Sequence, residues 1–483
     1  MGQSQAEAGT ADAHYQRIAL VVVMMGVMIA AVDTTIVVLA LPVMMGDLHT
    51  DLVTMVWVIM AYLLVMTVLT TQVGRFGDMY GRVRMYNLGF AVFTLGSVAC
   101  GFASTGVALI AFRVAQALGG ALISSNSGAI IADTFPAHAR GRAYGMTSIG
   151  YNTGAVLGIL LGGLIITFVN WRYIFFINLP IGVTALIMGV RVLRERSPRL
   201  ARKIDFPGVA LLGAGLLLLL IGLTNATGAG FTRTVVEMVV GGALVVVGFL
   251  AWERFAPAPL LDLRLLRRRV LTASVFAASL QALGNFAILF LIIMYLQGVR
   301  GLSPFIASLL LVPGYVVGGF IGPWSGRLAD RLGARVPASL GLLVQVAGVL
   351  VYTTLGVATP LWVVVVAATI NGIGSGFFFP ANSSAVMADA PPRDYGVASG
   401  LLRTLSNVGM VTSFAVALLI ASTAIPRQAA FAIFVGTTRL SAALASAFVH
   451  GLHAALGGSI VFLVLALVLS LLRGRESRGT TAP

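Results

Sequence analysis

Gly74-Arg75-Phe76-Gly77-Asp78-Met79-Tyr80-Gly81 recurs 252 residues downstream as Gly326-Arg327-Leu328-Ala329-Asp330-Arg331-Leu332-Gly333. Each copy is a short charged island between two long apolar runs, so the two copies mark equivalent places in a duplicated pattern. The same offset carries Asp33, fifteen residues into the first apolar run, onto Asn285, fifteen residues into the ninth. Runs bounded by charge, proline and glycine fall at 18–45, 52–73, 83–103, 105–132, 143–169 and 172–190, then 206–225 and 233–252. Six more follow at 270–297, 303–325, 336–356, 360–388, 396–424 and 449–472. The pattern is six, two and six, with both charged islands between the second and third runs of a six-run unit.

The runs are long enough to settle their solvent. About 20 apolar residues cross a hydrocarbon core of roughly 30 Å, and 58% of the 483 residues are hydrophobic while only 10% are charged. Ordinary soluble domains are about 25% charged, so this composition predicts an all-α integral membrane protein with about fourteen transmembrane helices. The expected division is a polar cytoplasmic segment at 1–17, a six-helix bundle at 18–190, an inserted hairpin with basic linkers at 191–269, a second bundle at 270–472 and a cytoplasmic tail at 473–483. The first seventeen residues carry Glu7 and Asp12 instead of a basic cluster, and the run that follows is too long for a signal-peptide core. The first run is expected to be a retained span.

The formal charge of +15 would suggest nucleic acid in a soluble protein. Here the basic residues serve as a topology signal. Short cytoplasmic loops hold the Lys and Arg excess, and with a cytoplasmic N-terminus twenty-four of the 31 basic residues fall in inner segments, five in outer ones and two inside spans. Both termini are therefore expected in the cytoplasm of a multi-pass inner (plasma) membrane protein. Lys203 is the only lysine and Cys100 the only cysteine. A phosphate-binding GxxxxGK[ST] loop is excluded, as are lysine-based respiratory proton pumps, intrachain disulfides, thiolate zinc clusters and CxxCH haem sites. No enzyme, metal or cofactor site is expected.

Two charges lie inside spans at similar depth. Asp33 is roughly 22 Å along a tilted helix at about 1.5 Å per residue, where a charge costs on the order of 2.5–3.5 kcal/mol. The low dielectric favours the neutral acid, which suits reversible protonation; a fixed structural ion pair is the other reading. Arg113 enters the fourth span from the opposite side to a matching depth and cannot deprotonate, so it would tune a carboxylate or hold an anionic group. Bonds to backbone carbonyls are its bland alternative. Gln116 follows one turn later on the same face.

Trp57, Tyr62, Tyr151, Phe286 and Phe290, with the polar Gln116, Asn152, Asn285 and Arg403, lie inside spans and are candidates to line a substrate cavity; ordinary packing competes for each. Gly150, Gly154, Gly158 and Gly162 make a smooth ridge that permits close helix approach, with a gating role as an addition. In the repeated islands, Gly74, Arg75 and Asp78 match Gly326, Arg327 and Asp330, and Gly81 and Arg82 complete the first copy's gating candidates. Their carboxylates suit neighbouring helix N-termini and their arginines suit ion pairs, a latch on the inner side.

Four stretches resemble the major facilitator superfamily, in its fourteen-span drug:proton antiporter branch, and the resemblance covers about 18–472. Ala31-Val32-Asp33-Thr34-Thr35 through Pro42 is similar to its first-span signature; 74–84 to its loop motif; and 109–121, with Arg113, Gln116 and Gly119, to its fourth-span motif. Trp171-Arg172-Tyr173-Ile174-Phe175-Phe176-Ile177-Asn178-Leu179-Pro180-Ile181-Gly182 is similar to a segment of fourteen-span members. The exporters' fifth-span Gly-Pro-x-x-Gly-Gly departs here, since Ala155 follows Gly154 and Ile159 follows Gly158. The resemblance implies two bundles that rock about a midplane site and proton-coupled export of small lipophilic or cationic compounds, with Asp33 and Arg113 in coupling and a proton gradient as the energy source. Movement of lipids or lipid conjugates with the same fold is the alternative, and a non-transporting sensor or scaffold is the alternative of another class.

Overall fold

In a computed structural model of the chain, residues 2–135, 137–196, 204–261, 263–390, 395–423 and 442–474 are described. Among them are fourteen helices long and apolar enough to cross a membrane, and no strand. Spans one to six are His14–Asp47, Leu52–Tyr80, Arg82–Gly101, Gly106–Thr134, Ile149–Phe168 and Tyr173–Val192. Spans seven and eight are Phe206–Thr227 and Arg233–Trp252; nine to fourteen are Arg269–Val299, Pro304–Ala329, Arg335–Tyr352, Trp362–Asp389, Val397–Thr423 and Ala443–Leu472.

Several helices outrun their apolar cores, because the hydrophobic signal ends at the membrane edge while backbone hydrogen bonding continues. The first helix extends from Gly2 to Asp47, so the polar segment expected at 1–17 is continuous with span one. Most of the first charged island, expected as a loop, is the end of the second helix, which runs to Tyr80; its counterpart ends a helix running to Leu332. The turns are Gly81 alone and Gly333 with Ala334, with the glycines at matching repeat positions. Gly81 has φ 109° and Gly333 φ 86°, a region that disfavours any Cβ, and their N–H groups close onto Gly77 O at 3.0 Å and Ala329 O at 2.9 Å. The duplication is thus visible in backbone dihedrals. The last helix begins at Ala442, earlier than the apolar run at 449; the segment 424–441 lies outside the described residues.

Within the first bundle, span one packs on five, and span four on two and three. In the second, span nine packs on thirteen and fourteen, and span twelve on ten and eleven. Spans seven and eight pair with each other, and span seven leans on spans two and thirteen, so the hairpin sits beside the join of the two bundles. The bundles meet mainly through spans five and ten and spans two and thirteen.

This seam is bridged at both ends. Toward the end that carries Arg75 and Arg82, Thr71 Oγ1 lies 3.0 Å from Thr404 Oγ1, and Arg403 donates to Ser124 Oγ at 3.0 Å. Toward the other end, Gln297 Nε2 donates to Leu39 O at 3.1 Å, and Phe305 N donates to Thr167 Oγ1 at 3.1 Å. The Phe168 and Phe305 rings meet there edge to face, 5.9 Å apart. Among the described residues the two bundles therefore touch at both ends of the seam.

Candidate functional site

Five spans of the first bundle bring their polar side chains to one point. Arg113 Nη1 donates to Asp33 Oδ2 at 2.7 Å and to Gln116 Oε1 at 2.7 Å, while Gln116 Nε2 donates to Asp33 Oδ1 at 2.8 Å. Arg113 Nε reaches Val58 O at 3.2 Å, and its guanidinium lies 4.2 Å from the centre of the Tyr62 ring. Asn178 Nδ2 donates to Ser97 Oγ at 2.9 Å and, more weakly, to Asp33 Oδ1 at 3.3 Å. Asp33 is 0% exposed and Arg113 1%.

The sequence builds this cluster through small residues and helix period. Arg113 and Gln116 are three apart and share a face of span four. A Cβ on Gly96 would press against the backbone of Gln116 at 2.7 Å, so span three approaches span four closely enough to seal the site. A charge in hydrocarbon must be paired or face water, and here pairing is complete: the guanidinium answers both the carboxylate and a backbone carbonyl. Such an arrangement is a fixed ion pair that can become a proton site only if the pair opens.

The stretch 171–182 anchors span six at two levels. Trp171 Nε1 and Arg172 Nη1 donate to Asp47 Oδ2 at 2.9 and 2.6 Å, tying it to the end of span one. Deeper in, Phe175 O accepts from Ser97 Oγ at 2.9 Å, and Asn178 reaches Asp33. Asn178, Ser97 and Asp47 are contributors that sequence reasoning missed. An asparagine in the middle of an apolar run was the available signal for Asn178; serine inside a span carries none, because it commonly satisfies itself on its own helix.

The remaining candidates divide between bundle interiors and the seam. Tyr62 and Gln116 belong to the ion-pair cluster. Trp57 packs partly buried against the core. Phe286 and Phe290 pack on Phe414 at 5.6 and 5.8 Å, and Asn285 Oδ1 accepts from Asn371 Nδ2 at 2.9 Å, all within the second bundle. Tyr151, Asn152 and Arg403 face the seam. Tyr151 is 46% exposed although it sits deep in the protein near Tyr315 of span ten, and Asn152 lies beside Gly319. Gly150, Gly154 and Gly158 turn instead to span one, where a Cβ on Gly154 would lie 2.6 Å from Met28 O and one on Gly158 2.7 Å from Val32 O.

At the basic end, Arg82 links three helices. It donates to Asp78 Oδ1 at 2.8 Å and to Asp133 Oδ1 at 2.7 Å. The start of span three is capped by Glu195, whose Oε1 accepts from Arg84 N at 2.9 Å. Arg75 donates to Ala258 O at 2.8 Å and Pro259 O at 2.7 Å, so this arginine holds the linker that follows the inserted hairpin. Gly74 faces Ser125 across a gap that a Cβ would just fill, while Gly326 has open space and Arg327 is exposed; the side chain of Asp330 lies outside the described residues. The two islands share a backbone turn but differ in their contacts.

Two packed bundles, a polar cluster at membrane depth and a seam bridged at both ends define a multi-pass membrane transporter. The Major Facilitator Superfamily family model matches residues 23–414, and the chain belongs to that superfamily; it is a transporter and not an enzyme. It is 33% identical over 402 residues to the tetracenomycin C resistance and export protein of Streptomyces glaucescens, covering 81% of this chain and 73% of the relative. It is 29% identical over 403 residues to multidrug resistance protein Stp of Mycobacterium tuberculosis (strain CDC 1551 / Oshkosh), covering 83% and 75%. Among solved structures, a bacterial homolog to the human lysosomal transporter Spinster, inward-facing and occupied, matches with TM-score 0.69 at 18% identity over 97% of this chain and 99% of that one, a likeness of fold.

Proposed function

We propose that the protein exports small lipophilic compounds by alternating access, driven by a proton gradient through Asp33 and Arg113. The observation that carries the coupling is the ion pair at zero exposure: a carboxylate held only by neighbours that a proton can displace. Protonation of Asp33 cancels the charge that holds Arg113, leaving the guanidinium to Gln116, Val58 O and the Tyr62 face, and so loosens the contact of span one with span four. Deprotonation restores it. Span one is also the partner of the Gly150–Gly154–Gly158 ridge and, through Leu39, of Gln297 across the seam. A change in its seating therefore reaches the closure between the bundles.

The direction rests on the export named in the Streptomyces glaucescens relative and the resistance named in both relatives. The orientation, with both termini cytoplasmic, rests on the arginine distribution and makes the Arg75–Arg82 end the inner one. Substrate contact is assigned to the seam, at Tyr151, Asn152, Tyr315 and Arg403. Aromatic and amide groups suit lipophilic ring systems. Cationic compounds, expected from the sequence, have less support: among the described residues the carboxylates more than two residues in from a span end are Asp33, sealed in its pair, and Glu237, on the hairpin in a pair with Arg233. Arg403 favours neutral or anionic compounds. In proteoliposomes carrying a pH gradient, neutral and anionic aromatic dyes are expected to accumulate and ethidium to be handled poorly. Movement of fluorescent lipid analogues with no dye transport would overturn the assignment in favour of lipid.

A further inference from the structure

The inserted hairpin brings two carboxyl groups together at the basic end, outside the ion-pair cluster. Asp205 caps the start of span seven and Glu253 follows the end of span eight; a helical hairpin returns its two ends to the same side, so residues distant in sequence become neighbours. One oxygen of each is engaged. Asp205 Oδ1 accepts from Gly208 N at 3.0 Å and from Trp252 Nε1 at 2.9 Å, and Glu253 Oε2 accepts from Leu261 N at 2.8 Å. The other oxygens, Asp205 Oδ2 and Glu253 Oε1, are buried without a partner, although the two carboxyls are close enough to hydrogen-bond each other. Each residue is 4% exposed, and Val68, Leu212, Leu260 and Leu261 form an apolar cluster beside them.

Two carboxylates cannot both stay ionised at this separation in such surroundings without a cation. Among the described residues neither has an ion pair. Among the described residues, the charged groups on the surrounding elements at this end are Arg75 and Asp78 of span two, Asp389 of span twelve, Arg403 of span thirteen, and Arg254, Arg264, Arg267, Arg268 and Arg269 along the linker; Asp78 is held by Arg82, and Asp389 accepts from Leu271 N at 3.0 Å. Arg75 is directed to the Ala258 and Pro259 carbonyls and to Gln72 Oε1 at 3.1 Å, and Arg403 to Ser124. The charge acting on Glu253 is that of Asp205. A second orphan lies alongside: Gln72 Oε1 accepts from Asp205 N at 3.4 Å, while its Nε2, on a side chain 2% exposed, has no partner.

We propose that Asp205 and Glu253 form a proton-binding site that sets how firmly the inserted hairpin is fastened to span two. With one proton shared, a carboxyl O–H of one residue donates to a carboxylate oxygen of the other. The hairpin ends are then closed, and Gln72 and Arg75 bind them to the second helix. Loss of the proton to water leaves two negative charges facing each other over apolar side chains; they separate, and the Ala258–Pro259 segment loosens from Arg75. Cytoplasmic pH would thereby act on an arginine of the repeated motif without passing through Asp33.

Infrared difference spectroscopy of the full-length protein tests the site directly. Burial and the Asp205 carboxylate push the Glu253 carboxyl up to about 7, so wild type is expected to show a protonated-carboxyl signal that disappears with a midpoint near that value. The signal should be absent in Glu253→Gln, and in Asp205→Asn its midpoint should fall, because the neighbouring carboxylate is gone while the burial remains. Amide hydrogen exchange supplies the mechanical readout, corrected for its intrinsic pH dependence. Residues 253–261 should exchange about tenfold faster or more above the midpoint in wild type, with no such change in Glu253→Gln. A wild-type spectrum without that signal at any pH, or exchange profiles that coincide for wild type and Glu253→Gln, would overturn the proposal. If one variant fails to fold, the other still decides it.

Discussion

Removing both partners of the Asp33–Arg113 pair should cost well below the sum of the costs of removing each alone. The Nη1 to Oδ2 distance is 2.7 Å and both residues are essentially unexposed. Charge centres about 4 Å apart attract by about 4 kcal/mol at an effective dielectric of 20. Arg113→Met leaves a carboxylate with only Gln116 and Asn178, and Asp33→Leu leaves a guanidinium with Gln116, Val58 O and the Tyr62 ring. A buried charge stranded in this way destabilises by about 3–5 kcal/mol. The double variant strands nothing, so its loss should fall about 3 kcal/mol or more short of the sum of the singles. Thermal or denaturant unfolding of the purified protein in detergent, with the four proteins compared at one pH, measures the coupling. Additive losses would refute the ion pair. A double variant as stable as wild type that transports nothing would show that the pair serves function and not folding.

Three other outcomes follow from the contacts described. Gly154→Leu should separate spans one and five, since even a Cβ at that position meets Met28 O at 2.6 Å; overpacking of this kind costs about 1–3 kcal/mol, read as a lower thermal midpoint. Arg82→Ala removes the links to Asp78 and Asp133, but these groups are about one-fifth exposed, so about 1 kcal/mol is expected, with faster thiol labelling of a cysteine placed at Ser124. For Glu253, whose carboxyl is raised from 4.5 to about 7, the folded state holds more protons than the unfolded one between those values. Stability should therefore fall as pH rises through that window, by up to about 3 kcal/mol, and stay level above it. Glu253→Gln should flatten the profile of thermal midpoint against pH.

Span number and duplication were legible because each rests on a signal that hydrocarbon enforces: long apolar runs, arginines pushed to the ends, and a turn that only glycine completes, at Gly81 and Gly333. Asp33 and Arg113 were legible as partners by depth, since a lone charge in a span must be answered. The extent of the cluster was not. Ser97 and Asn178 are neutral and carry no periodic signature, and Tyr62 and Gln116 were read as substrate contacts because an aromatic or amide inside a span looks the same whether it faces a cavity or a neighbouring helix. The orientation of the glycine ridge toward Met28 and Val32 depends on helix rotation, which spacing alone leaves open. Nothing in the sequence singles out Asp205 and Glu253; their meeting follows from hairpin closure, a tertiary fact. Arg75 similarly looked like a partner for Asp78, and the carbonyls it holds carry no mark in sequence.

The central claim is that Asp33 couples substrate movement to protons. In proteoliposomes, substrate accumulation under an imposed pH gradient can be compared with substrate exchange at equal pH on both sides, for wild type and Asp33→Asn. The account predicts that Asp33→Asn loses gradient-driven accumulation while retaining exchange. Undiminished accumulation by Asp33→Asn would contradict it.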